Sequence, residues 1–196
     1  MLFRSSNDSC NTNLNSSFTK KNDGIKRDKE MDAEVQHFKV KGNEYYVTIG
    51  FLENQPYEIF IGMNDIPDDI NSTIKYNIPK SIKRGKICKV KRGSYKLKTE
   101  NGDYTLSGIV DNEEVETLTR MISLSLRHKI DLSYVVQQLE KISGFDNFPK
   151  VLARALKKYI TNGTKVTGET CPSCGSENLV RENGCITCAD CSWTRC

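Results

Sequence analysis

Six of the chain's eight cysteines fall within its last 26 residues, at Cys171, Cys174, Cys185, Cys188, Cys191 and Cys196. Thiols packed this densely in so short a stretch lack the residues for an apolar core and need a covalent or metal clip to fold. A four-cysteine zinc ribbon grips one tetrahedral zinc with two Cys-x-x-Cys hooks. Three such hooks can be written here, so one zinc leaves two thiols over, and one of those can be Cys196, the last residue of the sequence. The expectation is a structural zinc clip carrying a spare, redox-active thiol pair on a mobile arm.

The first hook is Cys171-Pro-Ser-Cys174, and Gly175 after it lets the backbone turn back and aim N–H groups at a sulfur. Asn178 to Arg181 and Cys185 to Thr187 read as two short strands about an Asn183-Gly184 turn. The second hook is either Cys188-Ala-Asp-Cys191 or Cys185-Ile-Thr-Cys188. The former is favoured, because Ile186 and Thr187 are stiff β-branched residues suited to a strand, whereas Ala189 and Asp190 suit a tight turn. Zinc then takes Cys171, Cys174, Cys188 and Cys191, and Cys185 and Cys196 form the free pair. The alternative gives zinc Cys171, Cys174, Cys185 and Cys188, and leaves Cys191 with Cys196. Arg195 next to Cys196 is expected to favour its thiolate.

The rest of the chain reads as α+β: short antiparallel strands, then about three helices, then the ribbon. Residues from Met1 to about Met31 are rich in Asn, Ser, Asp and Lys, and a disordered arm is drawn over 1–36. A globular domain is expected over 37–165 and the cysteine module over 166–196. Tyr45 to Ile49 and Tyr57 to Ile61 are strand-like and make a hairpin. Further strands are expected at Ile87 to Val90, Ser94 to Leu97 and Tyr104 to Val110, with Asn101-Gly102 as a turn. Asp111 and Glu114 open a helix whose apolar face is Val115, Leu118, Ile122 and Leu126. Asp131 caps a second, with Leu132, Val135, Val136, Leu139 and Ile142 on one face. Pro149 begins a third, striped by Leu152, Ala155, Leu156, Tyr159 and Ile160 and stopped at Asn162-Gly163.

No apolar run approaches the roughly 18 residues of a membrane span, and the first residues lack the apolar core of a secretory signal. The cysteines therefore point to a reducing, cytoplasmic setting. Charge is unevenly spread. Eight Lys/Arg and no acid lie between Lys83 and Lys98, whereas Glu169, Glu177, Glu182 and Asp190 outnumber Arg181 and Arg195 in the tail. A nucleic-acid-binding ribbon would use the basic run on phosphates and Tyr95 on a base, but the acidic ribbon has the wrong sign for it. A docking module without redox turnover is the other alternative, with Trp193 either an exposed anchor or part of the ribbon's own core. His37 and His128 have no partners at metal spacing, Cys10 and Cys88 are isolated, and Glu53 and Glu58 form no acid–base pair.

Several segments resemble, in order, the C-terminal region of adenosylcobalamin-dependent (class II) ribonucleotide reductases. Gly42 to Gly50 followed by Gln55 to Ile61 is similar to the opening hairpin of that family's post-barrel domain. Thr119 to His128 is similar to its first helix. Val136 to Lys141, Ala153 to Ile160 and Gly163 to Pro172 continue the likeness. The stretch Gly184 to Cys196 resembles the reductase tail, with Ser192 in place of a Gly and Thr194-Arg195 in place of Ser-Lys. The resemblance implies that the spare pair, Cys185 and Cys196, relays reducing equivalents by thiol–disulfide exchange to an active-site disulfide and is itself reduced by thioredoxin or a similar donor. It also implies that the catalytic barrel and its adenosylcobalamin site belong to several hundred residues not in this sequence. A split or truncated reductase component, inactive alone and partnered by a barrel chain, is expected.

Overall fold

A computed structural model describes residues 24–64, 75–106, 113–144 and 147–196. Six antiparallel strands come first: β1 Glu30–Val40, β2 Asn43–Leu52, β3 Gln55–Met63, β4 Arg84–Lys91, β5 Ser94–Thr99 and β6 Gly102–Thr105. They form one sheet in the order β3-β2-β1-β4-β5-β6. Helices α1 Glu113–Arg127, α2 Leu132–Glu140 and α3 Phe148–Lys157 follow. A second sheet, ordered β10-β9-β8-β7, uses β7 Thr164–Lys165, β8 Leu179–Glu182, β9 Cys185–Cys188 and β10 Thr194–Arg195. The α+β architecture expected from the sequence is the one observed.

β2 is buried on both faces because two cores meet across it. On one side Tyr45, Val47 and Ile49 pack with Ile59 and Ile61 against the apolar stripes of all three helices. On the other, Tyr46 joins Ala33, Val35, Ile87, Leu97 and Tyr104. The sheet curls around this second core until Phe60 of β3 and Tyr95 of β5 stand 4.9 Å apart, although three strands separate theirs in the sheet order. Gly62 permits the packing, since a Cβ there would sit 2.0 Å from the Tyr46 ring.

The folded region begins earlier than the 1–36 arm allowed. Glu30–Val40 is a central strand, paired with β2 on one edge and β4 on the other. Its apolar residues Met31, Ala33 and Val35 alternate with Glu30, Asp32 and Glu34, the period-two pattern of a half-buried strand, which lies inside the 1–36 span. The helix starts expected at Asp131 and Pro149 hold, but α3 ends at Lys157, before the expected stop at Asn162-Gly163. The Asp131 carboxylate accepts from Ser133 N–H at 2.8 Å. Asn147 caps α3 ahead of Pro149. Ile142 lies past the end of α2 and is exposed, and Tyr159 and Ile160 follow α3 in a turn. Asp111 and residues 107–110 of the expected last strand lie outside the described residues. No helix among the described residues is long and apolar enough to cross a membrane.

Candidate metal and thiol site

Two hairpins build the cysteine module. Asn183 and Gly184 both adopt positive φ, 51° and 81°, the backbone of a two-residue turn that joins β8 to β9. β10 then returns antiparallel to β9, with Thr194 opposite Thr187 and Arg195 opposite Ile186. The small apolar centre is Val166, Leu179, Ile186 and the buried thiols Cys171 and Cys188, with Trp193 packed against it. Trp193 therefore serves the ribbon's own core.

Each hook is the same backbone device. The Gly175 N–H donates to the Cys171 carbonyl at 2.8 Å, and the Ser192 N–H donates to the Cys188 carbonyl at 3.0 Å. The residue that closes each turn is left-handed, at φ 75° for Gly175 and 60° for Ser192. The two hooks are tied by the Asp190 carboxylate, which accepts from the Ser176 hydroxyl and, at 2.9 Å, from the Asn178 amide. These two hydrogen bonds, Ser176 first, hold its pKa below the usual carboxylate range.

The sulfurs of Cys171, Cys174, Cys188 and Cys191 all lie within 4.8 Å of one another. Cys171 and Cys191 are 3.5 Å apart, and Cys174 and Cys188 are 3.7 Å apart. Sulfurs about 2.3 Å from a tetrahedral zinc would be separated by about 3.8 Å, so the set fits that ion. A backbone hydrogen bond from Ser176 lowers the Cys174 pKa, but sharing protons with Cys191, together with burial and the other two thiols, outweighs it and pushes the group up to about 12. Four thiolates packed this closely repel one another, and a cation between them would take up the charge. Of the two ligand sets open in the sequence, the clustered sulfurs are those of the Cys188/Cys191 hook.

Cys185 and Cys196 are joined by a disulfide, S–S 2.07 Å, with Cα atoms 4.2 Å apart. The register explains it: with Arg195 opposite Ile186, the residue that follows β10, Cys196, comes opposite Cys185, the first residue of β9. Cys185 is half-buried and Cys196 exposed. Arg195 does not act as expected toward Cys196. Its guanidinium is taken by Glu169 at 2.7 Å and lies over the Trp193 ring. The cation beside the disulfide is Lys157 of α3, which donates to the Cys196 carbonyl at 3.0 Å while its stem passes Gly184. An ion pair between the buried Arg181 and the half-buried Glu140, 2.9 Å, and a bond from Gln137 to the Thr167 carbonyl, 2.8 Å, hold the ribbon to α2. Spacing within the module pointed to none of these partners.

The remaining candidates are structural. Glu58, fully buried, receives both Arg27 at 2.8 Å and Arg127 at 3.1 Å. In the basic run, Lys98 pairs with Glu30 at 2.8 Å and Arg84 with Glu34 at 3.7 Å, so β1 offsets part of its charge. Tyr95 packs on Phe60 and lies under Arg27, which removes it as an open stacking platform. His37 is half-buried, with a pKa lowered first by burial and then by Lys83. The Cys88 thiol donates to Glu30 at 3.3 Å, and burial pushes its pKa up. His128 lies just beyond α1, its ring beside Gly24, and Cys10 is outside the described residues.

A family model described as the NrdJ homologue C-terminal domain matches residues 31–161. The match begins within β1 and ends ten residues before Cys171, so it covers the curled sheet and the three helices and stops short of the cysteine module. No curated protein and no solved structure matches the chain. With two thirds of its residues inside that family model, the chain belongs to the NrdJ homologue C-terminal domain family, a ribonucleotide reductase-related C-terminal region.

Proposed function

We propose that this protein is the C-terminal component of a ribonucleotide reductase and carries reducing equivalents, by thiol–disulfide exchange through Cys185 and Cys196, to a catalytic barrel on a partner chain. The observation that carries this reading is a partly exposed disulfide held outside a set of four clustered cysteines able to hold a metal ion. A purely structural ribbon needs only four of these thiols. Family membership supplies the reductase context.

Cys171, Cys174, Cys188 and Cys191 hold one zinc in this reading, and the ion crosslinks the two hooks and sets the register of β9. Reduction of the pair proceeds in two exchanges. A thiolate of a dithiol donor such as thioredoxin attacks the exposed Cys196 sulfur, forming a mixed disulfide and releasing Cys185 as a thiolate, which takes a proton. The donor's second thiol loses its proton, displaces Cys196 and closes the donor disulfide. Two electrons and two protons have then passed from donor to pair. The reduced pair runs the same exchange against the disulfide that ribonucleotide reduction leaves in the catalytic chain. Any adenosylcobalamin would be bound by that partner.

The test is zinc content together with disulfide mapping by mass spectrometry, before and after treatment with thioredoxin and its reductase. One zinc per chain and a Cys185–Cys196 disulfide that opens with thioredoxin and re-forms on oxidation are expected. Zinc with Cys196 unpaired after oxidation, or a disulfide indifferent to thioredoxin, would leave a structural or docking module.

A further inference from the structure

A cleft of about 630 Å³ lies between α2, α3 and the ribbon, and Cys196 forms part of its wall. Three of its cations come from one face of α3, where Lys150, Arg154 and Lys157 recur at intervals of four and three residues. Lys141, Arg181 and Arg195 add three more, against only two carboxylates, Glu140 and Glu169. Those two carboxylates are already engaged by Arg181 and Arg195. Lys150 donates to the Glu140 carbonyl, and Lys157 donates to the backbone oxygen of Cys196. Lys141 and Arg154, both exposed, face no carboxylate partner among the described residues. The side chains of the cleft thus carry four more positive than negative charges, and Cys196 of the Cys185–Cys196 disulfide lies in the same wall. The ribbon's other acids, Glu177, Glu182 and Asp190, are exposed and lie outside the cleft.

We infer that this cleft docks an acidic polypeptide segment of the protein that exchanges disulfides with Cys185–Cys196. The inference rests on the relay reading and names the kind of partner that reading requires. The placement is economical in chemistry: the cation at the end of the α3 stripe, Lys157, touches the backbone of the reacting cysteine, so carboxylates bound along the stripe bring a tethered dithiol to the exposed sulfur. Cations in a concave site raise the local concentration of an anionic partner and its rate of encounter.

Two synthetic peptides test this on the full, zinc-loaded chain. One carries Ser-Gly-Pro-Ser flanked on both sides by four Glu, and the other has the same core flanked by Ser. With the oxidised chain, titration followed by Trp193 fluorescence or calorimetry should show binding of the acidic peptide only, lost at about 0.5 M salt. The exposed double substitution Lys141→Gln/Arg154→Gln should weaken it about tenfold without altering the circular dichroism spectrum. The Cys-Gly-Pro-Cys versions of both peptides should reduce the disulfide, the acidic one about tenfold faster at low salt, an advantage the double variant removes. Equal binding of both peptides, or acidic binding that the double variant leaves unchanged, overturns the docking site. Tighter binding of oligothymidylate, competing with the acidic peptide, overturns it in favour of nucleic acid. Failure of both dithiol peptides to reduce the disulfide counts against the relay alone, because the serine peptides read docking without exchange.

Discussion

Ser192 occupies a backbone position that its own side chain disfavours. At φ 60° it closes the second hook as Gly175, at φ 75°, closes the first. The left-handed region costs a residue with a Cβ about 1–2 kcal/mol relative to glycine, part of which glycine returns as extra freedom in the unfolded chain. Ser192→Gly should therefore raise the stability of the zinc-loaded module by up to about 1 kcal/mol, seen as tighter zinc retention in competition with a chromogenic chelator. Gly175→Ala should do the reverse. Elsewhere, Glu34 bridges the sheet to the end of α3. Its carboxylate accepts from the Tyr159 hydroxyl at 2.6 Å and from Lys158 at 3.1 Å. The Tyr159 bond, opposed by burial and helped by Lys158, lowers its pKa from the ordinary 4.5. A carboxyl depressed in the folded state stabilises fully above its unfolded value, and the contribution is lost as pH falls through the folded one. Tyr159→Phe should move the Glu34 titration upward by NMR and flatten the dependence of stability on pH below about 4.5. An unshifted titration would show that the hydroxyl is not what holds the charge.

The ribbon's strands have too few residues and too small an apolar centre to persist by packing. β7 and β10 have two residues each, and β8 and β9 four. Metal removal should therefore melt this element while sparing the other. After chelation, amides of β8 to β10 should lose hydrogen-exchange protection, while those of β1 to β3 keep theirs, since the latter lie between two apolar cores. Equal loss in both sheets would mean the ribbon is part of one cooperative unit. The helices were readable because each carried its own local signals, such as Asp131 at a cap and Pro149 in a first turn. β1 carries the period-two alternation of a half-buried strand over Met31 to Val35, but its polar surroundings in sequence mask it, and its acids meet Lys98, Arg84 and Lys158 only after folding.

Over the whole molecule, Glu58 is the point where the curl of the sheet, the start of the described chain and the end of α1 are fastened together. Arg27 reaches it from the first segment and also donates to the Ile87 carbonyl, while Arg127 reaches it from α1. The segment is held further by Tyr57, whose hydroxyl donates to the Ile25 carbonyl at 2.6 Å. Replacing a buried charge that has two charged partners should be costly, so Glu58→Gln is expected to lower unfolding free energy by about 3 kcal/mol in urea titration. It should also open residues 24–29 to limited proteolysis. An unchanged midpoint would show that the two guanidiniums find water at no cost. What the amino-acid sequence determined by itself was local: the cysteine hooks and their turns, the helical stripes, and the Tyr45–Ile61 hairpin, all set by spacing over a few residues. The residues between the hooks favoured one of two cysteine assignments, and tertiary structure decided between them, because the pairing of Cys185 with Cys196 depends on the register of β10 against β9. Tertiary structure alone placed Lys157 at Cys196, 39 residues away, and Arg27 at Glu58, 31 away. Periodicity and turn chemistry act over one or two turns of chain, whereas these pairings exist only once the cores have closed and brought distant charges to one place.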